Sequence, residues 1–250
     1  HTVWRGIRKL LRILEDGVEQ TIDAFGAEQT PFAAVILLDT SGSMEQRVNL
    51  ARSAAIEFLY GLRRDDNCAI YNFDSKVTLI QDFSNSRDIR EQIFDLKADG
   101  MTALNDAVFK AAEVLSKRSE RRRAIIVLSD GMDTISSKNA DKALKAALAV
   151  NANIYTVDMA PVDTGARLRM QNQGVLRNFA EKTGGRFIAT PGGVAMREAF
   201  KRIVEELGGQ YTLTYQPANT TKDGKWRSIE VRVTRPSLTI RARKGYNAPK

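Results

Sequence analysis

Residues 33–44 read Ala-Ala-Val-Ile-Leu-Leu-Asp-Thr-Ser-Gly-Ser-Met, and this stretch decides the fold class. Its first six residues are apolar, which is typical of a central strand covered on both faces of a sheet. The strand ends in Asp-x-Ser-x-Ser, so Asp39, Ser41 and Ser43 follow one another where the backbone turns. In an open parallel sheet, the loops after such strands form the ligand crevice. Carboxylate and hydroxyl oxygens suit a hard cation such as Mg²⁺, and the alternative is that these residues cap a helix.

Two further segments carry polar side chains in a similar context. Residues 123–131 form another apolar, strand-like stretch, and the acid at its end is Asp130. A helix-like segment after Gly100 opens with Thr102. Asp-x-Ser-x-Ser alone is a weak signal, but three pieces in this order, each in a strand or loop context, indicate a metal site.

The combined set resembles the discontinuous metal-ion-dependent adhesion site of the von Willebrand factor A family: Asp39, Ser41, Ser43, Thr102 and Asp130. In that family, an open position on the cation receives a carboxylate from a partner protein. The resemblance implies Mg²⁺, with Mn²⁺ or Ca²⁺ as alternatives, and leaves open whether Thr102 and Asp130 ligate directly or through water. One departure is Met101 before Thr102, where the family often has Gly.

Strand-like and helix-like segments alternate for most of the chain, which predicts a mostly parallel sheet with helices on both faces. The segments 68–73 and 77–81 predict one antiparallel edge hairpin. The remaining periodicity predicts helices over 46–62, 86–96, 103–115, 138–150, 176–182 and 194–207, and strands over 124–129, 153–157 and 186–189. We therefore expect an α/β fold that is Rossmann-like and doubly wound.

Other charged residues fall on the same side of the predicted sheet. The connection from Met159 to Gln173 is longer than most loops and follows a strand end. It carries Arg167 and Arg169, which are candidates for steering an acidic partner. For five more acids near strand ends or loops, we expect capping or turn chemistry rather than ligation: Asp74, Asp99, Asp106, Asp133 and Asp158.

Both ends of the chain are predicted to be β-rich. After residue 209 the pattern alternates over 210–216, 226–234 and 237–243, as in half-buried antiparallel strands. At the other end, Trp4 and Ile7 begin a pattern that also fits a helical face. The turn Glu15-Asp16-Gly17 favours a hairpin over 10–25 instead.

The two ends also resemble a bacterial group related to the von Willebrand A family. The shared motifs are Glu-Asp-Gly near the N-terminus and, in the C-terminal part, Tyr-x-Pro at 215–217, Gly-x-Trp at 224–226 and Arg-x-Gly-Tyr at 243–246. The resemblance implies that both ends pair into a small β-rich subdomain. The expected division is an N-terminal β-rich segment over 1–32, the α/β domain over 33–208 and an antiparallel β segment over 209–250.

Residue usage excludes several classes of chemistry. The chain has 250 residues, of which 43% are hydrophobic and 27% charged, as is ordinary for a globular protein. Its only histidine is His1, which excludes a histidine-dependent triad and a His-ligated zinc site. Its only cysteine is Cys68, which excludes an intrachain disulfide. The Gly-rich phosphate-binding motifs are missing as well. We therefore expect no enzyme.

These observations predict a divalent-cation-dependent protein-binding module that captures an acidic group of a partner protein. The alternatives are a structural module whose metal orders loops, and a metal-dependent hydrolase. The net charge of +8 owes much to residues 117–123. This run could meet phosphates or acidic lipid, but a solvated helix end is the favoured interpretation. We expect no nucleic-acid partner and no membrane span. The bacterial resemblance implies a periplasmic, secreted or cell-surface location, although the first residues show no export signal.

Overall fold

The computed structural model describes residues 10–27, 30–87, 91–161, 164–189, 193–234, 238 and 240–250. The strands are β1 (Leu11–Glu15), β2 (Val18–Gln20), β3 (Ile22–Ala27), β4 (Phe32–Asp39), β5 (Asn67–Phe73), β6 (Val77–Ser84), β7 (Arg122–Ser129), β8 (Ala152–Asp158), β9 (Phe187–Ala189), β10 (Tyr211–Tyr215), β11 (Trp226–Val233) and β12 (Gly245–Asn247). The helices are α1 (Val48–Gly61), α2 (Leu104–Ser116), α3 (Ala140–Ala149), α4 (Ala166–Thr183) and α5 (Gly193–Gly208).

Six of the strands form the central sheet, in the order β6-β5-β4-β7-β8-β9. All pairs are parallel except β5 with β6, which is antiparallel. The structure thus confirms the α/β fold class and the edge hairpin. The chain passes from β4 to β5 on one side and later reaches β7 on the other. The carboxyl ends of β4 and β7 therefore flank the switch point, where such sheets bind ligands.

Strand β4 is buried over its whole length because helices cover both faces of the sheet. Ile36 and Leu38 pack into one core with α1 and α5. Val35 and Leu37 pack into the other core with α2, α3 and α4. This two-sided burial explains why the strand reads as a continuous apolar run rather than an alternating one.

The two ends of the chain pair with each other in two smaller antiparallel sheets. One sheet has the order β12-β11-β1-β2, and the other pairs β10 with β3. The predicted hairpin is confirmed where β1 meets β2, but β3 leaves it to pair with β10. Trp4 and Ile7, which suggested a helix, lie outside the described residues. The division of the chain at residues 32 and 208 stays a prediction.

Two predicted elements are wrong, the helix over 86–96 and the strand over 237–243. Within 86–96, the described residues form only a short 3-10 turn, Glu91–Ile93. Ile93 is the one buried residue of 91–96, so this segment lacks the apolar stripe that packs a longer helix against the core. In the C-terminal part, residues 238 and 240–243 form no strand, and the strand is β12, which pairs with the start of β11.

The long loop predicted from Met159 to Gln173 is also wrong, because α4 already begins at Ala166. Arg167 and Arg169 therefore lie in the first turn of a helix. None of residues 166–171 is buried. The apolar periodicity that identifies a helix is absent there, because this part of α4 buries no side chain.

Several side chains of the basic run 117–123 are used inside the fold. Arg123 donates hydrogen bonds to the backbone carbonyl oxygens of Arg118, Glu120 and Val150 at 2.6–3.1 Å. Arg118 pairs with Glu120 at 2.6 Å. These contacts tie the end of α2 to β7 and α3, as the helix-end interpretation of this run requires. No helix among the described residues is long and apolar enough to cross a membrane.

A buried carboxylate joins the two ends of the chain. Glu15, at the end of β1, is 2% exposed. Its Oε2 accepts hydrogen bonds from the hydroxyls of Tyr215 at 2.6 Å and Tyr246 at 3.0 Å. Burial and these bonds to Glu15 raise the pKa of both tyrosines. One side chain thus connects β1, β10 and β12.

We expect Glu15→Ala to lower the free energy of unfolding by about 2–3 kcal/mol, because it leaves two tyrosine hydroxyls without their acceptor. Urea unfolding measures this change. The matched control is Glu19→Ala, which removes an exposed carboxylate paired with Arg12 and should lower the free energy of unfolding much less, because water screens the pair. Equal losses in the two variants would contradict the role given to Glu15.

Candidate metal centre

The five residues predicted as metal ligands lie on three loops at the carboxyl edge of the central sheet. Asp39 is the last residue of β4, and Ser41 and Ser43 follow it in the turn before α1. Asp130 directly follows β7, the parallel neighbour of β4. Thr102 lies two residues before the start of α2.

Asp39 is the centre of a short network of hydroxyl groups. Its Oδ1 accepts hydrogen bonds from the backbone N of Ser41 at 3.0 Å and from Ser41 Oγ at 2.5 Å. Ser41 Oγ lies 3.2 Å from Ser43 Oγ. A serine hydroxyl has one proton and two lone pairs. Ser41 can therefore donate to Asp39 while its lone pairs stay available to a cation.

Ser129 completes this network, and the sequence analysis missed it. Its Oγ donates to Asp39 Oδ2 at 2.5 Å and accepts from the backbone N of Gly131 at 3.0 Å. The parallel register pairs Leu38 with Leu128, so the next residues on the two strands lie side by side. The only sequence signal for Ser129 is its position at the end of a strand, and the strand register is needed to show that its side chain reaches Asp39.

The negative charge of the two carboxylates is not balanced by a nearby Lys or Arg of the described residues. Asp39 is fully buried and Asp130 is 4% exposed. Among the described residues, neither forms an ion pair with Lys or Arg. Burial raises the pKa of Asp39 to about 7, and the charge of Asp130 adds to the rise, although the hydrogen bonds from Ser129 and Ser41 oppose it.

The loop after β7 is shaped by close packing against α4. Asp130 Oδ1 accepts a hydrogen bond from the backbone N of Met132 at 2.9 Å. Gly131 has φ +82°, and a Cβ there would lie 2.6 Å from the carbonyl oxygen of Asn172 in α4. Both the backbone conformation and the lack of space require glycine at this position.

The loop that carries Thr102 is fixed from both sides. The backbone N of Thr102 donates to Thr134 Oγ1 at 2.9 Å, and its carbonyl oxygen accepts from the backbone N of Thr134 at 2.9 Å. The backbone N of Gly42 donates to the carbonyl oxygen of Gly100 at 3.1 Å. The loop before α2 is thereby tied to the loops that follow β4 and β7.

The other acids near the site make local backbone contacts. Asp133 accepts from the backbone N of Asn105, in the first turn of α2, at 2.7 Å. Asp106 accepts from the backbone N of Ser137 at 2.8 Å. The carboxylates of Asp74 and Asp99 accept from backbone N atoms within their own turns. These contacts match the expected capping and turn chemistry.

The two predicted partner-binding arginines differ in their surroundings. Asp158, at the end of β8, is buried and accepts hydrogen bonds from the backbone N of Ala160 at 2.9 Å and from Gln173 Nε2 at 2.7 Å. Arg169 Nε lies 3.7 Å from Asp158 Oδ2. Arg167 is exposed. Of the two, Arg167 is the more exposed and forms no ion pair with a described residue.

The donor set fits a hard divalent cation with few protein ligands. Among the described residues, no three His, Cys, Asp or Glu side chains group into a metal cluster. The candidate centre instead combines two carboxylates with neutral hydroxyls. Two buried carboxylates without a cationic neighbour match the charge of one divalent ion, and oxygen donors suit Mg²⁺.

Comparison with known proteins identifies the α/β part of the chain. The profile of the von Willebrand factor type A domain matches residues 34–132. The inter-alpha-trypsin inhibitor heavy chain H3 of Bos taurus is 26% identical over 131 residues, which are 47% of this chain and 15% of that protein.

Solved structures share the fold at low sequence identity. The von Willebrand factor type A structure from Catenulispora acidiphila superposes with a TM-score of 0.60 and 18% identity, covering 80% of this chain and 46% of that one. The pilus adhesin SpaC from Lactobacillus rhamnosus GG superposes with a TM-score of 0.59 and 12% identity, covering 79% of this chain and 34% of that one. This chain thus spans less than two thirds of each of these three relatives. The profile match thus shows that residues 34–132 resemble a von Willebrand factor type A domain, and the solved structures share the fold of the α/β part.

Proposed function

We propose that this chain is a protein-binding module that holds a divalent cation at the carboxyl edge of its sheet and uses it to capture an acidic group of a partner protein. The observation that carries the proposal is the pair of buried carboxylates, Asp39 and Asp130, neither of which forms an ion pair with a Lys or Arg of the described residues. The proposed ligands, direct or through water, are Asp39, Ser41, Ser43, Thr102 and Asp130. Mg²⁺ is the expected cation, with Mn²⁺ or Ca²⁺ as alternatives.

The bound cation supplies charge compensation and an open coordination position, since Mg²⁺ keeps waters or external ligands when the protein offers few. Asp39 and Asp130 supply the negative charge that holds it. Ser41 and Ser43 supply neutral oxygens, so the protein adds no negative charge beyond the two carboxylates, and a partner carboxylate can take the open position on the cation. Ser129 orients Asp39 through its hydrogen bond to Oδ2.

The exposed cation Arg167 adds to the attraction of an acidic partner. It lies in the first turn of α4, on the side of the sheet where the proposed site lies. Long-range attraction between opposite charges raises association rates and is weakened by salt. Arg169, paired with Asp158, contributes less to this attraction.

A binding role fits the surroundings of the two carboxylates better than catalysis does. Among the described residues, Asp39 is hydrogen-bonded only to serine hydroxyls and a backbone amide, so no second acid or base side chain pairs with it for catalysis. A pilus adhesin shares the fold, and by this likeness we propose adhesion or assembly at the cell surface, in the periplasm or outside the cell. The partner supplies the carboxylate, and no nucleic acid takes part.

We expect binding of the partner to need both the cation and Asp39. Immobilised protein should retain a partner from a surface-protein extract of the source organism in MgCl₂ and lose it in EDTA. Asp39→Ala should retain at most about one tenth of the partner in MgCl₂, because the loss of one charged ligand removes most of the cation affinity. The retained fraction is measured by quantitative mass spectrometry.

The matched control is Asp66→Asn, which changes a buried carboxylate at the opposite edge of the sheet, where it accepts from the backbone N of Phe32, and should keep partner binding. Thermal unfolding of each variant with and without Mg²⁺ accompanies the capture. If chelation lowers only the melting temperature and leaves the partner bound, the cation orders loops and the capture mechanism is wrong.

We expect the affinity for Mg²⁺ to depend on pH through Asp39. The pKa of Asp39 is raised to about 7 in the protein without cation, so protons compete with the cation below that pH. The affinity should fall about tenfold per pH unit as the pH drops below about 7, and should change little above about pH 8. Calorimetric titration with MgCl₂ over this range measures the profile.

The control for this profile is Ser129→Ala, which removes a hydrogen bond that lowers the pKa of Asp39. The pH at which affinity is lost should move upward in this variant. An affinity that stays constant between about pH 5 and 8 would contradict ligation by Asp39.

A further inference from the structure

The first and last strands of the chain point out of one sheet in opposite directions. In the sheet β12-β11-β1-β2, strand β11 lies between β1 and β12. Leu11, the first residue of β1, pairs with Val233, whereas Asn247, the last residue of β12, pairs with Trp226. The two points lie about 23 Å apart along β11. A pull along the chain therefore acts parallel to these strands.

The direction of a pull decides how a pair of strands resists it. Hydrogen bonds between antiparallel strands run perpendicular to the strands. A pull along the strands loads all bonds of the pair together. A pull on two adjacent strand ends instead opens the bonds one after another, at a lower force. The outward directions of β1 and β12 give this sheet the stronger of the two geometries.

The last residues of the chain are held to β11 over more than the three pairs of β12. We call residues 244–249 the C-terminal latch. Backbone hydrogen bonds join the latch to Ile229 and Lys225 at 2.8 Å and to Gly224 at 3.0 Å. A side chain of the latch also reaches β1, because the hydroxyl of Tyr246 donates to Glu15 Oε2 at 3.0 Å.

The C-terminal latch determines which load the pair β1–β11 receives. With the latch in place, a pull on the C-terminal side enters β11 near Trp226, at the far end from Leu11. With the latch detached, the same pull enters β11 through residues 234–244, at Val233. Val233 is paired with Leu11, so the two strands would then open from this pair onward.

The α/β part of the chain lies outside this path. It is inserted between β3 and β10, which pair with each other, and Ala27 at its start is the partner of Tyr211 at its end. The residues proposed to hold the cation, from Asp39 to Asp130, all belong to this insertion. As long as β1, β11 and the latch stay paired, tension along the chain bypasses them.

We propose that the C-terminal latch and strands β1 and β11 form a load-bearing clamp, which carries tension along the chain and keeps it from the α/β part. The carboxyl edge of the central sheet then retains its geometry while the chain is pulled. This inference goes beyond the proposed function and does not depend on a bound cation.

The test is single-molecule force spectroscopy with one handle at the N-terminus and the other on an introduced cysteine. Cys68 is buried, so the handle reacts with the introduced residue. In Lys250→Cys the pull passes through the latch. In Leu238→Cys, at a residue that is 58% exposed, it reaches Val233 directly. We expect the first rupture force to be at least about twofold higher for the handle at 250 than for the handle at 238.

A glycine substitution removes the latch. A Cβ at Gly245 would overlap the carbonyl oxygen of Arg227 and the ring of Trp226, so Gly245→Ala should displace β12. The rupture force with the handle at 250 should then fall to the value measured with the handle at 238. The matched control is Gly174→Ala, because a Cβ there meets no atom within 4 Å, and it should keep the full force. Far-UV circular dichroism checks that both variants are folded.

A variant of the α/β core tests whether the load bypasses that part. Val35→Ala removes buried apolar contacts and should lower the urea midpoint of unfolding. It should leave the rupture force with the handle at 250 unchanged. Equal forces for the two handle positions, a full force in Gly245→Ala, or a lowered force in Val35→Ala would each overturn the inference.

Discussion

The proposed site depends on a buried carboxylate, Asp39, which forms no ion pair with a Lys or Arg in the part of the chain that the structure describes. Asp39 ends a strand that is covered on both faces, so its charge cannot be solvated by water. Serine hydroxyls and a backbone amide offset part of the cost, yet the pKa of Asp39 stays raised to about 7. A nearby second carboxylate, Asp130, makes the deficit of positive charge larger. Two buried carboxylates without a counter-charge raise the free energy of the folded state, and the proposed divalent ion supplies the missing positive charge.

The fold brings the distant parts of this site together through its topology. Because β4 and β7 are parallel neighbours, their carboxyl ends meet at the switch point of the sheet. Thr102 comes from a third loop, and backbone hydrogen bonds to Thr134 and between Gly42 and Gly100 hold that loop in place. Helix α4 packs against Gly131. The proposed cation ligands are thus held on three connected loops at one edge of the sheet.

The sequence reveals the parts of this arrangement that are local. Asp39, Ser41 and Ser43 lie within five residues, and the buried strand before them is recognisable as an unbroken apolar run. Ser129 could not be assigned, because its contact with Asp39 depends on the strand register. The start of α4 was missed because its first turns bury nothing and show no periodicity. The contact of Glu15 with Tyr215 spans 200 residues, so no local pattern reports it.

The central claim is that a divalent cation lies between Asp39 and Asp130. The most direct measurement is an anomalous difference map from a crystal grown in MnCl₂ and recorded at the manganese absorption edge. The account predicts one strong peak at about 2.0–2.3 Å from the hydroxyl oxygens of Ser41 and Ser43. A map without a peak at this edge of the sheet, or with manganese bound only elsewhere, would contradict it.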